Sequence, residues 1–199
     1  MVNEESEQVM NKVFVGGSRK ISRLNAHITQ RIDRMIEKGL SVLVGDANGA
    51  DKAVQLYLKD RQYGLVEVFC TEGSCRNNIG GWLVRRVPAP GNSKGFTYYE
   101  AKDKVMADEA SIGFMIWDGK SLGTLMNVFR LINQRKTVVV YATPIKEFLN
   151  LKDGDDWESF LARFGRELRR RIEARMATNE RGSLSSNQVR LFSNDKLTA

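Results

Sequence analysis

Three junctions constrain this chain more than any other feature. In each, a short run of apolar residues passes through glycine and polar residues straight into a helical period. Val13–Val15 leads into Gly16-Gly17-Ser18-Arg19, and Val42–Val44 into Gly45-Asp46-Ala47-Asn48-Gly49-Ala50-Asp51. Ile112–Trp117 leads into Asp118-Gly119-Lys120-Ser121-Leu122-Gly123-Thr124. Strands that alternate with helices need crossover connections, which predicts an α/β, Rossmann-like three-layer fold around a mainly parallel sheet. Val66–Cys70 and Thr137–Tyr141 bring the predicted strands to five.

The helical periods lie between them. Leu24, Ile28, Ile32 and Ile36 recur every fourth residue as one buried stripe that Gly39 closes, and His27, beside that stripe, reads as a surface or boundary residue. Further helices are predicted over Ala50–Tyr57, Tyr99–Asp108 and Thr124–Gln134. The pattern lapses across residues 71–98, which read as a functional flap or an extra small element. That flap interleaves Arg76, Arg85, Arg86 and Lys94 with Trp82, Phe96, Tyr98 and Tyr99, a mixture suited to stacking a base and gripping phosphate, or to packing on itself.

A length of 199 residues, 42% hydrophobic and 28% charged, fits one globular domain with an appendage. The domain is expected over residues 10–150, with a disordered N-terminus at 1–9 and a flexible tail at 178–199. Residues 151–177 read as one amphipathic helix, with Trp157, Phe160, Leu161, Phe164, Leu168 and Ile172 on its apolar face. That face should dock on the domain or on a second subunit, which makes a homo-oligomer an expectation. Arg163, Arg166 and Arg170 fall on another face, either as a solvated surface or as a nucleic-acid contact. In the tail, Gln188–Phe192 ("QVRLF") resembles the short peptide by which bacterial proteins dock on the replication sliding clamp.

The longest apolar runs fall far short of the roughly 20 residues that span a bilayer, and the N-terminus does not resemble a signal peptide, so the expectation is a cytoplasmic protein without membrane contact. Cys70 and Cys75, with one histidine in the chain, supply neither a disulfide framework nor a zinc site, and they read as two reduced thiols with no metal. The formal charge of +7 favours anionic partners.

Ligands of open parallel sheets bind beyond the carboxyl ends of the strands, so the three turns should share one rim. Gly16, Gly17, Ser18 and Arg19 in the first, and Ser121, Gly123 and Thr124 in the third, combine close backbone approach, hydroxyl donors and unpaired helix N–H groups, which suits a phosphate. Lys120 adds positive charge. Gly45 and Gly49 shape the second turn, whose Asp46 and Asp51, with Asp118 of the third, would repel phosphate and suit ribose hydroxyls, base amines or a cation. Neither the dinucleotide fingerprint nor the P-loop pattern is present: "GKS" at 119–121 has Phe114 where that loop needs its first glycine. No Ser-His-Asp set is available.

These segments also carry a resemblance. "VFVGGSR", "LVGDANGAD", "YYEAKDKVMADEASIGFMIWDGKSLGTLMN" and "TVVVY", in this order, resemble the SLOG superfamily and its YpsA-related branch of small bacterial and phage proteins, over about residues 12–142. The resemblance implies a Rossmann-like domain that binds a nucleotide, a nucleotide-derived molecule or nucleic acid. Relatives include LOG enzymes, which cleave a base from a nucleoside monophosphate, and DprA-like proteins, which bind single-stranded DNA. It places phosphate at Ser121-Leu122-Gly123-Thr124 and at Gly16-Gly17-Ser18, and Lys102 where LOG enzymes carry an arginine. Their glutamates, however, are replaced here by Leu125-Met126-Asn127.

Cleavage of an N-glycosidic bond needs a carboxyl beside the ribose. Asp46 and Asp118 are the foremost tentative catalytic candidates because each directly follows a strand, ahead of Asp51 and Asp103. The sequence therefore leaves three readings open: a sensor of a nucleotide-derived ligand, a hydrolase acting on it, and a nucleic-acid binder using the basic helix and aromatic flap. None requires a cofactor; the nucleotide is itself the ligand or substrate.

Overall fold

A computed structural model describes residues 11–89, 91 and 95–183. The N-terminal segment 1–9, Lys94 and the clamp-like Gln188–Phe192 lie outside the described residues. The elements run β1 (Lys12–Gly17), α1 (Ala26–Glu37), β2 (Ser41–Gly45), α2 (Ala50–Asp60), β3 (Val66–Thr71), β4 (Leu83–Val87), α3 (Gly95–Glu109), β5 (Ile112–Trp117), α4 (Leu122–Asn133), β6 (Thr137–Ala142), β7 (Glu147–Leu151), α5 (Gly154–Phe164) and α6 (Arg166–Ser183).

The sheet has seven strands in the order β4-β3-β2-β1-β5-β6-β7, parallel throughout except for the antiparallel pair β6 and β7. The expected α/β, mainly parallel architecture is present, but five strands was too few. Both additional strands are edges. β4 (LVRRV) and β7 (EFLNL) are largely exposed, so their charged and polar residues hide the apolar signal that marks a buried strand. Their sequences read as loop for that reason.

Alternation along the central strands sorts the core to two faces. Val13, Val15, Val42 and Val44 meet α1 and α2 on one side, while Phe14, Leu43, Met115 and Trp117 meet α3 to α6 on the other. In α1 the buried residues are Ile28, Ile32 and Met35, with Leu24 and Ile36 only half-buried, and His27 is exposed. Asn25 caps this helix: its Oδ1 accepts from the Ile28 N–H at 3.1 Å, and its Nδ2 donates to the Tyr141 hydroxyl at 2.8 Å. Because Tyr141 is fully buried, Asn25→Ala removes a cap and orphans a hydroxyl, and we expect a loss of about 1–3 kcal/mol in urea unfolding.

The C-terminal region is two helices, not one. Gly165 has φ +92, a conformation L side chains rarely adopt, and separates α5 from α6. α6 also continues to Ser183, past the boundary expected at residue 177. Trp157, Phe160, Leu161, Leu168 and Ile172 are buried in the same core as β5 and α4. The protomer's own domain therefore covers the apolar face that had suggested an oligomer.

The two cysteines are not free thiols: Cys70 and Cys75 form a disulfide with Cα atoms 5.4 Å apart. β3 carries Cys70, and the chain turns back on itself immediately afterwards, so residues five apart meet. Their linear spacing carried no such signal. Among the described residues, no helix is long and apolar enough to cross a membrane.

Candidate functional site: a cleft at the sheet's switch point

β1 is the strand at which the order reverses, since the chain moves outward through β2, β3 and β4 on one side and through β5, β6 and β7 on the other. Crevices form at such switch points because the crossovers on either side diverge. A cleft of about 450 Å³ opens there, at the carboxyl ends of the strands.

Its first wall is the β1 turn and the β5–α4 turn, which are tied together. The Asp118 Oδ1 accepts from the N–H groups of Lys120 (3.0 Å) and Ser121 (2.8 Å), and Ser18 is hydrogen-bonded to the same carboxylate. Burial works to raise the Asp118 pKa, but these bonds outweigh it and hold the group below its ordinary value. Asp118 is thus a turn-forming acceptor. Its turn delivers Ser121 as the cap of α4, with the Ser121 Oγ accepting from the Thr124 N–H at 3.4 Å and the Thr124 hydroxyl at 3.0 Å. Gly16, Gly17, Arg19 and Lys20 line this wall together with Gly123 and Lys120. The start of α4, with its positive dipole end, faces the same space.

The floor is a buried ionic cluster. Asp51 (7% exposed) and Lys102 (4%) both line the cleft, and the Lys102 Nζ donates to Asp103 at 2.8 Å. Asp103 also accepts from Asn127 at 3.0 Å. Gly45 makes this cluster possible, because a Cβ there would abut the Asp51 Oδ2 and lie 2.6 Å from the Lys102 Nζ. Burial raises the Asp51 pKa to about 6, against the pull of Lys102 and the Ala47 N–H and with the push of Asp103 and Asp46. Burial also works against the charge on Lys102, yet Asp103 and Asp51 hold its pKa above the ordinary value. Lys102 stays an ammonium.

Asp46 lies behind the wall. It is 3% exposed, and its Oδ2 accepts from the backbone N–H (3.1 Å) and Nε (3.0 Å) of Arg76 while its Oδ1 accepts from the same guanidinium at 2.5 Å. Burial opposes the charge on Asp46, but Arg76 holds the pKa below its ordinary value. The guanidinium in turn lies 4.4 Å from the Tyr99 ring centroid, and Arg76 and Tyr99 both line the cleft.

Of the thirteen ligand-binding candidates from sequence, the structure brings ten to this one cavity, namely Gly16, Gly17, Ser18, Arg19, Asp51, Lys102, Asp118, Ser121, Gly123 and Thr124, and Lys120 and Asp103 line it as well. Gly45, Asp46 and Gly49 stand outside its lining: Gly49 precedes α2, Gly45 supports the floor, and Asp46 holds Arg76 from behind the wall. The flap divides. Arg76 and Tyr99 reach the cleft, whereas Trp82 donates to the Tyr63 carbonyl at 2.9 Å, Arg85 pairs with Glu67 and Glu109, and the Tyr98 hydroxyl donates to the Glu72 carbonyl at 2.8 Å.

Arg163 pairs with Glu147 from α5, while Arg166 and Arg170 are exposed on α6, so the three arginines do not share one helix. The residue that sequence reasoning passed over is Arg171, next to Arg170, which reaches the cleft from α6 with its Nη2 3.5 Å from the Lys120 carbonyl. No sequence signal marks it, because only the break at Gly165 and the packing of α6 on α4 turn that side chain toward the site.

No family model, curated protein or solved structure matches this chain.

Proposed function

We propose that the cleft binds a nucleotide or nucleotide-derived anion, in the manner of a SLOG domain, with the phosphate at the start of α4. One observation carries this reading: Ser121, Gly123 and Thr124 open a helix toward the same cavity that Lys120, Arg19 and Arg171 flank with positive charge. Helix dipole, free N–H groups, hydroxyls and three cations favour a dianion there. The acidic floor and Tyr99 leave the far side of the cleft for the less charged ribose and base.

Binding without turnover, as in a sensor, is favoured over hydrolysis of an N-glycosidic bond. The two foremost carboxyl candidates are engaged elsewhere: Asp46 is held by Arg76, and Asp118 closes its own turn. One observation favours the hydrolytic alternative. Asp51 is a cleft-lining carboxyl whose pKa of about 6 lets it carry a proton near neutral pH, a prerequisite for protonating a leaving base.

Calorimetric titration with adenosine 5′-monophosphate, adenosine and inorganic phosphate tests the reading. Adenosine 5′-monophosphate is expected to bind, and Lys120→Ala combined with Arg171→Ala to weaken it about 10- to 100-fold at low salt. Wild-type binding unaffected by that double variant sinks the assignment. Release of ribose 5-phosphate, abolished in Asp51→Asn, would decide for hydrolysis; preference for single-stranded oligonucleotides with a steep salt dependence would decide for nucleic acid.

A further inference from the structure

The segment between β3 and Arg76 is fastened in a way that the binding chemistry does not explain. Cys70 is fully buried near the end of β3, and its sulfur is bonded to Cys75, the residue immediately before Arg76. Downstream of Arg76 the chain is tied separately. Gln55 donates to the Asn77 carbonyl at 3.2 Å and accepts from the Ile79 N–H at 2.9 Å, and Asn77 donates to the Asp46 carbonyl at 2.7 Å. Arg76, which places its guanidinium on Asp46 and over Tyr99 in the cleft wall, thus stands between a covalent anchor and a polar one.

The two sulfurs and an Asp46 carboxylate oxygen all lie within 4.8 Å of one another. Opening the S–S bond leaves two thiols next to the Asp46 carboxylate that holds the Arg76 guanidinium. The thiolate is the reactive form of cysteine.

We propose that Cys70 and Cys75 are a reversible thiol-oxidation site that sets the position of Arg76 in the cleft. The chemical partner is a low-molecular-weight disulfide. The Cys75 thiolate attacks one of its sulfurs and releases one thiol; the Cys70 thiolate then attacks the mixed disulfide at the Cys75 sulfur and releases the second. Two protein thiols become one disulfide, one small disulfide becomes two thiols, and the exchange needs no other oxidant. In the oxidised state Arg76 is fixed on Asp46 and the wall is formed. In the reduced state the covalent anchor immediately before Arg76 is gone and the wall loosens.

The affinity arm of the test rests on the proposed binding reading, and the other arms do not. The full chain is equilibrated in glutathione buffers of graded potential, free thiols are trapped by alkylation, and mass spectrometry is expected to find both cysteines changing state together. Hydrogen–deuterium exchange then compares the two states, with the Arg76 amide expected to exchange at least tenfold faster after reduction and remote amides of α1 unchanged. Affinity for adenosine 5′-monophosphate should fall at least threefold on reduction. Cys75→Ala, at a half-buried position, should show the reduced behaviour in every buffer, and Cys70→Ser with Cys75→Ser provides a second test. Thiols that stay free in the most oxidising buffer overturn the proposal, as does a disulfide whose reduction leaves the Arg76 amide unchanged. Stoichiometric zinc uptake by the reduced protein, with no glutathione-dependent disulfide, overturns it in favour of a Cys70–Cys75–Asp46 metal site. If adenosine 5′-monophosphate binds neither state, the binding reading fails, and amide exchange still decides the redox claim.

Discussion

Trp117→Ala is expected to destabilise the protein by about 3–5 kcal/mol and to weaken anion binding in the same variant. Trp117 ends β5 fully buried, with Phe160 and Phe164 of α5 at centroid distances of 5.3 and 4.8 Å. Its Nε1 donates to the Ser121 carbonyl at 3.2 Å. One side chain thus joins the sheet to α5 and to the residue that caps α4. Truncation leaves a large cavity under α5 and frees the turn that carries Lys120. α6 packs on α5 as well as on α4, so loosening α5 is expected to displace Arg171 too. Urea unfolding measures the first effect and calorimetry at a temperature where the variant remains folded measures the second. Trp117→Phe, which keeps the ring contacts but loses the indole donor, should recover most of the stability. Full stability in the alanine variant would contradict this account of the core.

The second large effect is electrostatic. Asp51→Asn is expected to tighten adenosine 5′-monophosphate binding at pH 8 by roughly 5- to 30-fold, the equivalent of about 1–2 kcal/mol, because it removes a negative charge from the same cleft. At pH 5 the advantage should vanish. The wild-type carboxyl, raised to about 6 by burial, is by then protonated. Lys102, Asp103, Asp46 and Arg76 face the same cluster and are retained in both proteins, and the phosphate's own titration near pH 6 cancels in the comparison. A constant ratio between the two proteins from pH 5 to 8 would mean that Asp51 does not titrate in this range.

The same shifts give stability a signed pH dependence. Asp51 has a folded pKa above its unfolded value, so the folded state binds the extra proton, and stability from this group rises as pH falls from about 6 toward 4. Asp46, Asp118 and Asp33 are lowered, and what they contribute is present above pH 4 and is lost as pH falls through their folded values. In Asp51→Asn the first slope should disappear while the acid-side loss remains.

Much of the site was legible in the sequence because its residues sit directly after strands. Gly16–Arg19, Asp118 and Ser121–Thr124 are fixed in space by the strand they follow, and the alternation of apolar runs with helical periods predicted the mainly parallel sheet in which the structure then pairs β1 with β5. Residue type at each turn then gave the expectation of phosphate at the first and third turns and of a less charged group or a cation at the second. β4 and β7 were illegible because an edge strand needs no apolar face, and the Gly165 break was missed because the apolar period runs through it from Trp157 to Ile172.

What tertiary structure alone decided is how each charge is used. In the sequence Asp46 and Asp118 are alike, each directly after a strand, and Asp51 follows a few residues later at the start of a helix. Only packing gives Asp46 to Arg76, thirty residues away, gives Asp118 to its own turn, and leaves Asp51 buried beside Lys102 with a raised pKa. Only packing brings Arg171 to the cleft and Cys75 to Cys70. The sequence by itself determined the alternation of strands with helices and the positions of the turns between them. Desolvation and through-space pairing, which depend on which distant residues become neighbours, decided the rest.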